Sequence, residues 1–391
     1  MKKKLDRNVL SLGITSFLND WSSEMIFPLL PAFMAEVLNI PKPLIGLIEG
    51  ISRSLASVLK VFSGYISDRL GKRKSLAVAG YALSNAVKPL LAVARNWPAV
   101  LAMRAADRIG KGIRTAPRDA LIASATEKQK KTRGKSFGFH RAMDTSGAML
   151  GTIAAFVLMR FLPGDTESNY RTVFLLAVIP GMAGVATIAL GARERSSPGN
   201  RKKPSLAWSS LPANVKRLVV ASIIFGIGNY TFTFFLLRIR EMGIAAAIVP
   251  LVYLVYNLFY AGASVPAGRL SDKLGRKKVL VAGFLLYACT ATGFALVDAA
   301  PAAWLLMAVF GLHMALTDAT ARAFISDLSE ESVRGTALGI YHTGVGVADL
   351  PAGIMAGFLW QQFSSTATFL TGAALALTAT AVLATVKEKR S

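Results

Sequence analysis

The stretch "GYISDRLGKRK" (Gly64–Lys74) returns, lightly edited, as "GRLSDKLGRKK" (Gly268–Lys278). Asp68 and Asp272 stand 204 positions apart (272 − 68), a little over half the 391-residue chain. In both copies a glycine (Gly64, Gly268) lies four residues before the aspartate, and another (Gly71, Gly275) three residues after it, ahead of a basic run. Self-similarity at a fixed offset marks a duplicated unit rather than two chance loops. The duplication extends further. "RGKSFGFH" (Arg133–His140) faces "RGTALGIY" (Arg334–Tyr341), and Arg118 and Arg322 repeat at the same offset of 204.

The material around these repeats is apolar. Hydrophobic residues make up 53% of the chain and charged residues only 17%, against about a quarter charged in soluble domains. Mean hydropathy is +0.46. The formal net charge is nevertheless +23, from 45 Lys+Arg against 22 Asp+Glu. A basic soluble protein would point to nucleic acid. Here the basic residues sit in short runs between long apolar stretches, which excludes that class and predicts an all-α, multi-pass membrane protein. The single cysteine, Cys289, excludes a disulfide framework or a thiolate metal cluster. The first residues, "MKKKLDRNVLSLGITSFLND", lack a small-residue cleavage site and read as a retained membrane helix.

A helix needs about 20 residues to cross the hydrocarbon layer. Twelve spans are expected, at about 9–37, 43–66, 75–95, 98–118, 135–161, 171–192, 216–238, 246–268, 277–298, 301–325, 336–360 and 365–386. Several contain prolines (Pro28, Pro31, Pro89, Pro180, Pro250, Pro351), tolerated in lipid where neighbours satisfy the freed carbonyls. The loops alternate. Those after even-numbered spans carry "DRLGKRK", "EKQKKTRGK", "RERSSPGNRKK" and "DKLGRKK", and those after odd-numbered spans are poor in Lys and Arg. Lys/Arg excess marks the cytoplasmic side, so both termini are expected inside. Two six-helix bundles follow, 1–192 and 216–391, joined by a polar linker over 193–215.

These features together resemble the major facilitator superfamily. The two "GxxxD…G" loops with basic runs, twelve spans and a central basic linker match that family's organisation over essentially the whole chain. The resemblance implies two pseudo-symmetric bundles that move a small solute by alternating access, with a central site at the interface of the repeats. It also gives the loop a gating role for Gly64, Asp68, Gly71, Arg73, Gly268, Asp272, Gly275 and Arg276. Gly64 permits close helix approach and Gly71 a tight turn. Asp68 is placed to cap a helix start in the other half, where the dipole is positive. Each half would thus carry its own cytoplasmic latch. The lysines of these loops follow from topology alone.

Charges within membrane spans are costly and default to functional candidates. They concentrate in the first half. Asp20 and Glu24 share one face of span 1, and Glu49 and Arg53 of span 2 stand in the favourable i,i+4 order, with Lys60 beyond. Lys88 lies in span 3. Span 4, "RAADRIGKGIRTAPRD", lines up Arg104, Asp107, Arg108, Lys111 and Arg114, and span 5 holds His140, Arg141 and Asp144. Arg104 falls near the superfamily's arginine-containing fourth-helix motif, but Asp107 and Arg108 occupy the usual Gln and Gly positions. "GAMLG" (Gly147–Gly151) resembles the fifth-helix glycine motif of antiporter-type members, without its proline. The second half offers Asn229, Tyr230, Asn257, Asp318 and Asp349.

The expected function is secondary transport of a small solute, driven by protons and directed outward. One of Asp20, Glu24, Glu49 and Asp144 would carry the proton by exchanging partners. An importer or exchanger of an anionic solute is the alternative, on the arginines of spans 2, 4 and 5. A ferroportin-like transition-metal exporter is another, on His140, His313 and His342, although no two of these fall on adjacent turns. No phosphate-binding loop or catalytic motif is present, so neither an enzyme nor ATP-driven transport is expected. No cofactor is called for. The expected setting is a monomer in a prokaryotic inner membrane.

Overall fold

The computed structural model describes residues 6–125, 133–194, 208–331 and 333–388. The side chains of Val61, Gly64, Tyr65, Asp68, Arg133 and Gly134 lie outside that description, as does most of the expected linker. Among the described residues the chain is helical without strands, and twelve helical segments succeed one another. They are α1 (Arg7–Ile26), α2 (Lys42–Leu70), α3 (Arg73–Val93), α4 (Trp97–Ala125), α5 (Arg133–Phe161) and α6 (Thr166–Gly191). The second six are α7 (Ala213–Glu241), α8 (Val249–Leu274), α9 (Arg276–Leu296), α10 (Ala300–Leu328), α11 (Arg334–Gln362) and α12 (Ser365–Ala384).

Local sequence explains where these helices begin and break. Asp6, Asp165, Thr231 and Ser364 each accept a backbone N–H of the following turn, the role short polar residues fill at a helix start. After α1 the prolines at 28 and 31 interrupt the regular ladder, and the chain continues as a wide turn over Phe33–Val37. In α3 the α-helical part ends at Val87, and Pro89 opens a tighter turn, Pro89–Val93. The break in α7 has another origin. Asn229 departs from helical geometry (φ −84°, ψ 79°), and Thr231 restarts the helix by capping Thr233 N–H at 3.2 Å.

Both copies of the repeated loop turn at a glycine with positive φ. Gly71 joins α2 to α3 at φ +65°, and Gly275 joins α8 to α9 at φ +95°. Positive φ is where glycine alone escapes a Cβ penalty, so the pattern of the sequence repeat is a pattern of turn geometry.

Among the described residues, nine segments are long and apolar enough to cross a membrane by composition. The other three are α1, α2 and α4, which carry most of the charges singled out above. Their length matches the rest, while their polar faces lower the hydropathy.

The helices gather into two compact units, Met1–Leu38 with Leu55–Lys203, and Asn39–Ser54 with Pro204–Ser391. In unit 1, α1 packs along α5 and α6, and α3 along α4. The seam of α1 with α5 is close: a Cβ at Gly147 or Gly151 would strike the backbone of Phe17 or Trp21. In unit 2, α7 packs on α11 and α12, and α8 and α9 both pack on α10. Asn39–Ser54, which holds the first half of α2, belongs to unit 2 because it lies against α11. Gly46 meets Gly353 there, Gly50 meets Leu350, and Ser54 Oγ donates to the Gly346 carbonyl at 2.8 Å.

Candidate functional site

Unit 1 draws most of the predicted charges into one polar seam built by α1, α3, α4 and α5. Residues three or four apart share a helix face, so the spacing Arg104, Asp107, Arg108, Lys111, Arg114 along α4 presents one charged edge. Asp107 is held there by Ser84 of α3, which donates to its carboxylate, and by Arg104 Nη1 at 3.6 Å and Arg108 Nε at 3.4 Å. Arg114 lies over the ring of Tyr81, 4.5 Å from its centroid, and its buried Nη1 has no hydrogen-bond partner among the described residues.

Asp144 of α5 accepts a hydrogen bond from Ser16 of α1, and His140 Nδ1 stands 3.6 Å from its other oxygen. Asp20 of α1 accepts from Asn19 at 3.0 Å and lies in the electrostatic neighbourhood of Asp144, Lys111 and Arg114. Two carboxylates and two cations from three helices therefore share one region. Glu24 packs beside Gly151 of α5, one turn beyond Asp20, and Arg141 is exposed next to His140.

Unit 2 treats its polar residues differently. Asp349 of α11 pairs with Arg53 at 3.4 Å, and the Arg53 guanidinium lies 5.9 Å from the centroid of Phe232. Glu49, one turn before Arg53, is only 1% exposed and lies in the field of Asp349. Asp318 accepts from Tyr260 Oη at 2.8 Å and from Arg322 at 2.9 Å. Asn257 donates to the Tyr253 carbonyl at 3.4 Å, inside its own helix.

Around these residues runs an aromatic wall. Tyr253, Tyr256 and Tyr260 stack successively at 5.5 and 5.9 Å, and Phe232 meets Tyr256 at 4.7 Å. Tyr230 is buried at the break of α7, where Tyr287 Oη donates to the Gly228 carbonyl at 2.6 Å and accepts from Tyr230 N–H at 3.3 Å. Stacked rings with a few fixed polar groups form a surface suited to a mixed polar–apolar solute.

At the duplicated loops the structure adds residues that sequence reasoning missed. Arg73 N–H and Lys74 N–H, at the start of α3, donate to the Glu194 carboxylate at 3.1 and 2.9 Å. Arg276 N–H and Lys277 N–H, at the start of α9, donate to Glu388 at 2.7 and 3.4 Å. Each glutamate follows the last helix of its unit and sits where the positive end of a helix dipole favours an anion. The available signal was the pair "RER" and "KEK" after spans 6 and 12.

Asp272 pairs with Arg276 of the adjoining helix at 2.6 Å, and Asp327 meets the same guanidinium at 3.1 Å. A Cβ at Gly268 would meet open space. Gly64 and Asp68 fall outside the described side chains.

Each histidine has its own neighbours. His140 sits beside Asp144, His313 Nδ1 contacts the Gly283 carbonyl at 2.9 Å, and His342 contacts the ring of Tyr341. Among the described residues no three His, Cys, Asp or Glu side chains converge as metal ligands.

Comparison with known proteins places this architecture. The profile of the Major Facilitator Superfamily matches residues 12–244 and 218–391. An uncharacterized MFS-type transporter of Methanocaldococcus jannaschii is 39% identical over 382 residues, covering 96% of this chain and 94% of that protein. The inner membrane transport protein YajR of Escherichia coli is 25% identical over 396 residues, covering 98% and 84%. Among solved structures, the nucleoside transporter NupG superposes with a TM-score of 0.84 at 12% identity over 97% of this chain and the whole of that one. A bacterial homologue of the human lysosomal transporter Spinster superposes with a TM-score of 0.77 at 14% identity, covering 97% of both chains. At such identities the likeness is one of fold. The helices, the duplicated loop and the near full-length relative lead to one statement: the chain belongs to the Major Facilitator Superfamily and is a multi-pass secondary transporter of a small molecule, not an enzyme.

Proposed function

We propose that this transporter exchanges protons for a small solute and exports that solute by alternating access. It would work as a monomer in a prokaryotic inner membrane with both termini in the cytoplasm. The observation that carries the reading is the carboxylate pair of unit 1. Asp144 is held by Ser16 and faces His140, while Asp20 lies in the field of Asp144 together with Lys111 and Arg114. With cations this near, adding a proton to either carboxylate changes the local charge by one and weakens its hold on the neighbouring cation. A conformational change that moves α1 against α4 and α5 would thus be linked to loading and release of a proton. The outward direction rests on the Gly147–Gly151 motif, whose glycines let α1 and α5 approach closely.

The test uses everted membrane vesicles energised to an acid interior and loaded with a pH-sensitive dye. Lipophilic cations, organic anions, sugars and nucleosides are added one class at a time. One class is expected to trigger alkalinisation, and Asp144→Asn or Asp20→Asn to abolish it. Solute flux without any proton movement would refute the coupling.

A second reading is favoured by one specific observation: the buried Arg114 Nη1 lacks a hydrogen-bond partner among the described residues. A guanidinium with an unused donor, one turn from Lys111, suits a carboxylate or phosphate group on the solute. In that case the protein exchanges anions, and Arg114→Gln raises the half-saturating anion concentration while leaving neutral solutes unaffected.

A further inference from the structure

Lys88 stands apart from the charged seam in its partners. It is 4% exposed and sits where the α-helical part of α3 ends, one residue before Pro89. Its ammonium donates to Ser22 Oγ at 3.1 Å, Ser23 Oγ at 2.9 Å and Asn85 Oδ1 at 2.8 Å. An ammonium has three N–H groups and no acceptor, so this set saturates it with neutral oxygens.

Those oxygens are oriented in advance. Ser22 Oγ gives its own hydrogen to the Ala177 carbonyl at 2.6 Å, and Ser23 Oγ gives its hydrogen to the Asn19 carbonyl at 2.9 Å. Asn85 Nδ2 donates to Asn19 Oδ1 at 3.1 Å and to the Tyr81 carbonyl at 2.9 Å, which turns its oxygen toward Lys88. Three lone-pair donors thus point at one small volume, and none of them can turn round to donate into it without losing a bond.

The backbone also favours a cation here, while the nearby charges balance. The end of a helical segment brings the negative pole of its dipole. The charged groups facing the amine are Asp20 from α1 and Asp107, Arg108 and Arg114 from α4. From α6 the approach is uncharged: Gly181 leaves the space that Asn85 Oδ1 and Ser22 Oγ occupy, and a Cβ there would collide with both.

We infer that the oxygens of Ser22, Ser23 and Asn85 form a monovalent-cation site whose resident ion is the tethered ammonium of Lys88. The consequence goes beyond the choice of solute or coupling. The native transporter needs no sodium or potassium to stabilise this junction, and shortening Lys88 opens the site to a free ion.

The experiment follows thermal unfolding of the full-length transporter in lipid nanodiscs, in lithium, sodium, potassium or choline chloride at constant ionic strength. The wild type is expected to melt at one temperature in all four. Lys88→Ala is expected to melt lower in choline and to gain about 3 °C or more, saturably, in one of the small cations, by the mass-action stabilisation of a bound ligand. Adding Ser22→Ala and Ser23→Ala removes that gain. Lys88→Met, which fills the space without a charge, shows no gain in any salt.

Should Lys88→Ala give no folded protein in choline, it is produced in each small cation; recovery in one of them supports the site, and recovery in none overturns it. The inference is equally overturned if folded Lys88→Ala melts alike in all four salts. A gain that survives loss of both serines has the same meaning.

Discussion

Replacing Gly147 with alanine drives a methyl group into the backbone of α1. The new Cβ would lie 2.8 Å from the carbonyl carbon and 2.9 Å from Cα of Phe17, with the carbonyl oxygen closer still. Non-bonded carbons prefer about 3.5–4.0 Å, so α1 must retreat by roughly 1 Å. A gap of that order forfeits about a quarter to a half of each contact along the seam. Overpacking of this kind typically costs about 1–3 kcal/mol.

The helix-propensity gain of about 1 kcal/mol for Gly→Ala acts in the other direction and would blur the result. Gly138, on the same helix, supplies the correction, because a Cβ there meets nothing within 4 Å. Gly138→Ala collects the propensity gain alone, so the difference between the two variants isolates the clash. With about 2–4 °C per kcal/mol for a unit of this size, Gly147→Ala should melt roughly 2–12 °C below Gly138→Ala in nanodiscs. If the two melt within 2 °C of each other, α1 and α5 are not in the backbone contact described, and the structural role given to this glycine motif is wrong.

The other predictions address individual contacts. Glu388→Ala and Glu194→Ala each strand two N–H groups at a helix start, and each should cost about 1 kcal/mol in thermal unfolding, with Ala at exposed Glu330 as the neutral control. Tyr287→Phe removes the donor to the Gly228 carbonyl where α7 breaks, and should cost about 1–2 kcal/mol with faster amide exchange at the break. Arg53→Met leaves Asp349 without its cation. It should lower stability by about 2 kcal/mol, less than for a fully buried pair because both side chains keep about a quarter of their surface accessible, and Arg53→Met/Asp349→Asn should recover most of the loss. Melting of Arg53→Met at the wild-type temperature would show that the pair contributes nothing.

The duplicated loop shows how far a sequence carries. Gly71 and Gly275 were legible because a positive-φ turn is a local demand that only a few residue types meet. The charged edge of α4 was legible for a similar reason, since helical periodicity fixes which side chains share a face. The caps on α3 and α9 were not. Glu194 lies 121 positions from Arg73, and Glu388 lies 112 from Arg276, so no local pattern ties donor to acceptor. The cage around Lys88 escaped for a different reason. Ser22, Ser23 and Asn85 read as ordinary polar residues of membrane helices, and only the direction of their hydrogens distinguishes them.

The assignment of Asn39–Ser54 to the second unit was invisible in the same way. Helix α2 is continuous from Lys42 to Leu70, and no composition change marks residue 54. What holds its first half to α11 is small residues meeting backbone to backbone, reinforced by the Arg53–Asp349 pair. Such an interface has little side-chain interdigitation to unpack, and its ion pair is a discrete contact that is either made or broken. The rest of unit 2 is packed differently, through an aromatic core where Phe235 alone contacts the rings of Tyr287, Phe294, Phe310 and Phe369. The two kinds of contact within unit 2 are therefore built from opposite ends of the residue-size scale.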